Sequence, residues 1–426
     1  MISKNHYDVI VIGAGASGML AAGRASENGA SVLMLERNSC PGKKLSITGK
    51  GRCNITNSGE IKEFIESYGK NGRFLYRAFS RFFNQDLLAF LNRFGVETKV
   101  ERGGRVFPVS DDSETVVNAL KQYLKKNKVT IKLNSRVDEI IVADNSTVSA
   151  DKKKQRVTGI RLLNDDEIIY SHKIILATGG LSYPNTGSTG DGYRMAEKLG
   201  HNIIPPEPAL VPLETKEAFV RDLQGLSLEN VTATLFINNK KSASEFGDML
   251  FTHFGISGPI ILKLSGLAVE HLIKKECVLI SINFKPALSK DQLDSRLLRE
   301  FSENSRKSLG AVLKNLLPKK LVPVIMSLSN ISTEKQCSHI TAEERRRLFL
   351  LFTDFRLEIS KARPIDEAII TRGGITLKEI DPFTMESKII KGLYFCGEII
   401  DIDGMTGGYN LQAAFSTAYL AGDVVP

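Results

Sequence analysis

Apolar and polar positions follow two different periods along this chain, and the opening segment contains both. In YDVIVIGAGASGMLAAGRASENGASVLMLERN the short β-branched run Val9–Ile12 has no polar position, which predicts a strand buried on both faces. A glycine turn follows, and then the stretch Met19–Ser26, whose small residues predict a closely packed helix. Val32–Leu35 repeats the strand pattern. Strand, helix and strand in this order predict a right-handed βαβ unit of a parallel sheet.

Helical periodicity returns around Leu75–Phe94 and near Glu114–Lys125, with GGRVFPVSDDS between them. KVTIKLNSRVDEIIV reads as a strand, and a DKKKQR turn leads into VTGIRLLN and EIIYSHKIILATGG. These β segments are spaced for a small antiparallel insertion that returns to the parallel sheet. Pro205, Pro206, Pro208 and Pro212 then punctuate an exit from the first domain. Beyond them, VTATLFINNK and CVLISINFKP are strand-like with a turn at Asn238-Asn239, and Lys290–Phe355 is mostly helix-period. AIITRGGI and GLYFCGEI read as strands, and Asn410–Gly422 as a helix of small residues.

This last segment matches the first domain better than it matches its neighbours, so an insertion inside one reunited domain is expected. The expected division is 1–200 and 363–426 for the outer domain, 201–286 for a β-rich insert and 287–362 for a basic helical insert. No internal repeat is visible.

Composition narrows the class. With 426 residues, 42% hydrophobic and 25% charged, the chain reads as an ordinary multidomain globular protein. No run approaches the roughly 18 apolar residues of a membrane span. MISKNHYDVIVIG enters a strand without a signal-peptide architecture, so a cytoplasmic protein is expected. The five cysteines, Cys40, Cys53, Cys277, Cys337 and Cys396, contain no C-x-x-C pair, which argues for free thiols and against a structural metal site. Cys277 and Cys396 each sit in an apolar run and are expected in the core.

The net charge of +9 is unevenly spread. Residues 39–110 hold 13 Lys/Arg against 6 Asp/Glu, and residues 285–363 hold 16 against 9. Two basic blocks of +7 therefore stand on an acidic remainder of −5. A polyanionic partner such as nucleic acid and a solvated helix face both fit that pattern.

Gly13-Ala14-Gly15-Ala16-Ser17-Gly18 follows a strand and opens a helix, the context in which G-x-G-x-x-G has a mechanism. Gly13 permits the turn, Gly15 lets a pyrophosphate approach the backbone, and Gly18 lets helix meet strand. Glu36 ends the next strand 18 residues after Gly18, where a carboxylate accepts from ribose hydroxyls and repels a 2′-phosphate. The bound dinucleotide should therefore be FAD or NAD. Two further strands end in glycine, Ile174–Gly180 and the one closing at Gly397-Glu398, and Gly407-Gly408 opens a second helix aimed at a phosphate or flavin ring. Such strand ends, drawn from distant segments, converge if one large cofactor lies along the sheet edge. No second G-x-G-x-x-G appears, and GSTGDG (187–192) is read as shaping the loop before a helix at Tyr193–Leu199.

The motifs GAGASG, KKLSITGKGRCNITN, GGRVFP, ATGGLSYPNTGSTGDGY, FTHFGISGP and GEIIDIDGMTGGYNLQ together resemble a flavoprotein family. That family includes bacterial 3-dehydro-bile-acid Δ4,6-reductase, aminoacetone oxidase and a ribosomal RNA dihydrouridine synthase. The resemblance covers essentially the whole chain. It implies an α/β fold, a glutathione-reductase-like FAD-binding Rossmann domain with an inserted β-barrel-like and helical domain. It also implies FAD contacts at Gly13, Ala14, Gly15, Ala16, Ser17, Gly18, Glu36 with Arg37, Lys44, the loop Gly51, Arg52, Cys53 and Asn54, and Val137 through its backbone. Thr178, Gly179, Gly397, Glu398, Gly408, Tyr409, Asn410 and Leu411 complete the implied set.

Reductases of this kind place a hydride on a C=C conjugated with a carbonyl, so uridine and a steroid dienone both satisfy the chemistry. NADH or NADPH is expected as a visiting reductant. One reading makes the substrate uridine in 23S rRNA, gripped through segments 39–110 and 285–363, with Arg345, Arg346 and Arg347 on phosphates. A second makes it a small steroid enone or an amine, and a third leaves a non-catalytic flavin-bound scaffold or sensor. Cys53 is the sharp candidate for proton donor, against a reading in which it only packs beneath the flavin, and His253 and Tyr409 are further candidates. Within KKLSITGKGRCNITN, Lys44 and Arg52 are expected at the pyrophosphate or the flavin edge, with Asn54 and Asn57 fixing the loop.

Overall fold

The computed structural model describes residues 5–144, 155–163 and 168–423. Most of the DKKKQR turn lies outside the described residues. The chain forms two compact units, one of residues 1–207 and 369–426, the other of residues 208–368.

The first unit is built on a five-stranded parallel sheet. Strand β1 (Val9–Ile12) pairs with β2 (Val32–Leu35) in the register Val9↔Val32 to Ile12↔Leu35. β2 pairs onward with β3 (Thr130–Lys132). On its other side β1 pairs with β4 (Ile174–Leu176), and β4 with β5 (Leu393–Phe395), giving the order β5-β4-β1-β2-β3. All residues of β1, β2, β4 and β5 are buried, as strands covered on both faces must be.

Two helices of small residues pack together over this sheet, α1 (Ala16–Glu27) and α2 (Tyr409–Gly422). A Cβ at Gly422 would lie 2.5 Å from the Ala21 carbonyl oxygen, so the close approach requires glycine.

Local signals explain several departures from the periodicity. Leu75–Phe94 forms two short helices, Tyr76–Arg81 and Asn84–Asn92, rather than one. Phe82 is extended between them, and the Asp86 side chain accepts from the Phe83 N–H at 2.8 Å, starting the second helix. KVTIKLNSRVDEIIV likewise splits. Thr130–Lys132 joins the parallel sheet, and after Asn134 at φ +52° the chain continues as Val137–Asp144, antiparallel to Gln155–Leu162. Ile370–Ile375 pairs with Ile203–Ala209 in a separate two-stranded sheet, outside the main one.

The second unit holds a closed six-stranded barrel. Its strands run in the order Leu213–Thr215, Gly255–Ser257, Lys240–Phe251, Ser227–Ile237, Val278–Asn283 and Phe355–Ala362, the last pairing back to the first. Val231, Ala233, Leu235 and Ile237 alternate inward along one strand. Asn238 and Asn239, at φ +49° and +63°, make the two-residue turn to the next strand. Helices Lys290–Glu303, Leu309–Leu313, Leu321–Ser329 and Ala342–Thr353 share one apolar core with the barrel. Phe355–Ala362, inside the range 287–362 expected to be helical, is the strand that closes the barrel. Its alternating burial is a period-two pattern that the adjoining helical run obscures.

Cys396 is buried in the core of the first unit as expected, whereas Cys277 is exposed. Cys277 precedes its strand, where its N–H donates to the Asn238 side chain at 3.1 Å, and the apolar run that suggested burial begins one residue later. No helix among the described residues is long and apolar enough to cross a membrane.

Candidate active site

Parallel pairing places the carboxyl ends of β1, β2, β4 and β5 along one sheet edge. The chain runs outward from β1 in opposite directions, to β2 and to β4, so the crevice of an open α/β sheet falls here. Gly13 leaves β1 at φ +101°, and a Cβ there would lie 2.6 Å from the Ala177 carbonyl oxygen at the end of β4. A Cβ on Gly18 would lie 1.8 Å from the Gly13 carbonyl oxygen. A Cβ on Gly15 meets nothing within 4 Å. Two of the three glycines are thus required by packing, and the middle one faces open space.

No side chain caps the N-terminus of α1, and its first turn, Ala16, Ser17 and Gly18, has no acidic residue, so helix amides face the edge without a resident acceptor. Thr178, just past β4, has its Oγ1 buried without a hydrogen-bond partner among the described residues. Gly179 follows at φ +74°. An uncovered glycine backbone and uncapped helix amides form the kind of cradle that a pyrophosphate-bearing dinucleotide fills.

Glu36 ends β2 and is 7% exposed. Its carboxylate accepts from the Ala14 N–H and the Asn38 N–H, each at 2.8 Å, which ties the second strand end to the glycine turn. Arg37 pairs with Asp191 at 3.2 Å, at the start of the helix Asp191–Lys198, and Arg136 joins the same carboxylate at 2.7 Å. Val137 begins its strand with a buried side chain, in register with Leu162.

The segment Lys43–Asn57 is held in an unusual backbone. Gly49, Lys50, Gly51 and Cys53 all have positive φ, +58°, +60°, +83° and +59°, and the last two hydrogen bonds of the turn run from Arg52 N–H to Gly49 O (3.3 Å) and from Cys53 N–H to Thr48 O (2.9 Å). Turned to suit its neighbours, the Asn54 carboxamide donates to Thr56 O at 3.2 Å and accepts from the Gly408 N–H at 3.0 Å. Asn57 donates to Gly103 O at 2.9 Å and Gly407 O at 3.0 Å. The loop is thereby fastened to the N-terminus of α2.

Side chains in this loop take positions that spacing did not reveal. Arg52 stacks 4.1 Å above the Phe107 ring and is paired with Glu101 and Asp111, with Nε 2.8 Å from Asp111 Oδ1. Lys44 Nζ lies 2.6 Å from Glu398 Oε2 and 2.7 Å from Ser182 Oγ. Glu398 also accepts from Ser182 Oγ at 2.9 Å and from the Thr371 N–H at 2.8 Å, so three protein donors hold its carboxylate. Cys53 is wholly covered within the core, and burial pushes its thiol up to about 12 against a hydrogen bond from Thr48.

At the start of α2, Gly408 is left-handed at φ +98°, and a Cβ there would lie 2.2 Å from the Thr56 carbonyl. Tyr409 is half-buried, its ring edge-on to Phe64 at 4.7 Å, and burial raises its phenol above the ordinary value. Asn410 closes the preceding turn, donating to Gly404 O at 2.9 Å, and Leu411 packs against the core. Gln412, buried one residue further, accepts from Thr56 Oγ1 at 2.6 Å. Sequence reading passed over Ser182, Thr371 and Gln412. Ser182 lies inside the ATGGLSYPN motif, which was its signal, whereas Thr371 sits in an ordinary strand pattern and had none.

In the second unit, the ring of His253 meets Phe254 at 4.9 Å. Of the three consecutive arginines on Ala342–Thr353, Arg345 pairs with Asp294 at 2.9 Å and Arg347 with Glu343 at 3.1 Å. Arg346 alone of the three is exposed with no ion pair among the described residues.

Comparison with known proteins agrees with this architecture. Residues 7–424 match the family described as HI0933-like protein Rossmann domain. The chain is 31% identical over 414 residues to the 3-dehydro-bile acid delta(4,6)-reductase of Clostridium scindens, covering 97% of each chain. It is 30% identical over 416 residues to the ribosomal RNA dihydrouridine synthase of Escherichia coli, covering 97% of this chain and 96% of the other. Among solved structures, 3-ketosteroid delta1-dehydrogenase from Sterolibacterium denitrificans superposes with a TM-score of 0.53 at 15% identity, covering 99% of both chains, a likeness of fold. A match along nearly the whole length, joined to the glycine turn and strand ends described above, places the chain in the HI0933-like Rossmann family of FAD-dependent oxidoreductases.

Proposed function

We propose that this chain holds FAD along the carboxyl edge of its parallel sheet and reduces a C=C bond conjugated with a carbonyl, with uridine in 23S rRNA as the leading substrate. The cofactor reading is carried by one juxtaposition: open space over Gly15 and the uncapped α1 amides meet at one edge. The α1 amides would bind the pyrophosphate, Glu36 a ribose, and the loop ending at Asn54 with the start of α2 the remaining length. When bound, FAD supplies a two-electron carrier that delivers a hydride, and a visiting NADH or NADPH serves as the reductant. Lys44, on the short helix Lys43–Ile47, ties that segment to Glu398 just past the end of β5. We assign Cys53 to packing, because a thiol covered on all sides touches no substrate.

Full-length likeness to a ribosomal RNA dihydrouridine synthase, joined to the net charge of +9, supports the RNA reading. Mass spectrometry of digested rRNA from a strain lacking this protein should show less dihydrouridine, and unchanged dihydrouridine would overturn it. The comparable likeness to the C. scindens reductase supports a second reading, a steroid-like enone. Turnover of such an enone by purified protein, without RNA and insensitive to salt, would establish that instead.

A further inference from the structure

Each basic block holds cations that are paired and cations that are not. Within 285–363, Arg345, Arg347, Arg356 and Arg363 pair with Asp294, Glu343, Asp354 and Glu214. Within 39–110, Arg73 and Arg77 are exposed and make no ion pair with any described residue. They lie four residues apart where the 3₁₀ turn Gly69–Leu75 meets the helix Tyr76–Arg81.

Between them Tyr76 is 59% exposed, and the Arg77 guanidinium carbon lies 5.8 Å from the ring centre of Phe383, itself 64% exposed. Lys70 stands exposed on the same turn. Exposed rings interleaved with unpaired cations are the pairing of groups that single-stranded nucleic acid engages, rings with bases and cations with phosphates. Asn71 Nδ2 donates to Asp401 O at 2.8 Å, and the Met405 N–H donates to Ser67 O at 3.2 Å. This surface is therefore continuous with the loop that leads into the N-terminus of α2.

We propose that Lys70, Arg73, Tyr76, Arg77 and Phe383 form a docking surface for single-stranded RNA, in which the cations meet phosphates and the two rings stack on unpaired bases. The inference rests on the RNA reading of function and places a contact on the Rossmann unit. Unpaired strands are specified because stacking needs an exposed base face, which a duplex hides.

The test uses the flavin-loaded full chain and a labelled single-stranded oligouridine, read by fluorescence anisotropy across a salt series. Removing both cations (Arg73→Ala with Arg77→Ala) should lower the slope of log affinity against log salt by about 1.4, about 0.7 for each phosphate no longer neutralised. Removing both rings (Tyr76→Ala with Phe383→Ala) should weaken binding roughly fivefold or more with the slope unchanged. Arg346→Ala should bind as the parent does. Unaltered melting and flavin content show that the variants are folded. Binding by both double variants equal to the parent's, no binding by the parent, or capture of phosphatidylserine vesicles in place of RNA would each overturn the proposal. Complementing a deletion strain separates the two readings. No dihydrouridine with the parent chain sinks the rRNA assignment, whereas full modification by both double variants sinks the docking surface alone.

Discussion

A methyl group added at Gly15 meets no atom within 4 Å, whereas one added at Gly18 lands 1.8 Å from the Gly13 carbonyl oxygen. The two glycines of one motif therefore answer to different constraints. Gly15 has φ −77°, open to any residue, so Gly15→Ala should leave the melting temperature of flavin-free protein nearly unchanged while visible flavin absorbance per protein falls. Gly18→Ala should lower that melting temperature itself, through a loss of stability of the ~1–3 kcal/mol typical of overpacking. Full flavin content in Gly15→Ala would remove the cradle reading. Cys53→Ala should cost about 1–2 kcal/mol as a buried truncation and leave the rates of flavin reduction and reoxidation within a few-fold of the parent, measured by stopped flow. Loss of the oxidative half-reaction alone would return the thiol to catalysis. At this scale the demand on Gly18 was legible because it is local to six residues, whereas the Ala177 carbonyl that excludes a side chain at Gly13 lies 164 residues away. The commitments of Arg52 and Lys44 were not, because Glu101, Asp111 and Glu398 lie 49, 59 and 354 residues away along the chain.

Among elements, regular strands and helices were read well where one period persists, as in Val9–Ile12 and Tyr409–Gly422, and poorly where a single residue interrupts it. Asn134 at φ +52° divides one apparent strand between two sheets, and the extended pair Phe82-Phe83 divides one apparent helix. Periodicity averages over such positions, so they vanish from the pattern although they decide the path. The fastening of the Lys43–Asn57 loop to α2 was equally hidden, since it runs through side-chain amides. Asn57, 4% exposed, donates to Gly103 O and Gly407 O and accepts from the Gly59 N–H at 3.0 Å. Asn57→Ala would leave those groups without partners, so a loss of about 2–3 kcal/mol is expected at roughly 1 kcal/mol for each bond. Denaturant unfolding measures it, and flavin content should fall with it as the start of α2 loosens. Unchanged stability would mean that water replaces the carboxamide and that the loop is held elsewhere.

At the scale of the whole chain, the insertion was legible because the last segment returns to the glycine-ended strand pattern of the first. The sequence places the insert at 201–362, whereas the units divide at 207/208 and 368/369, because most of the strand Ile203–Ala209 and all of its partner Ile370–Ile375 belong to the Rossmann unit. That pairing also carries a consequence for the cofactor. Every residue proposed to hold FAD, from Gly13 to Leu411, lies in 1–207 or 369–426, and that unit has its own apolar core. Its two cut ends leave paired neighbouring strands, about 5 Å apart in the hydrogen-bonding direction, so a short Gly/Ser linker should join them with little strain. Replacing residues 208–368 with such a linker should therefore give a protein that unfolds cooperatively and still carries flavin. Circular dichroism and the ratio of flavin to protein absorbance read both properties. A shortened chain that folds yet stays colourless would show that the barrel-bearing unit supplies part of the cofactor site, which the strand-end geometry alone does not require.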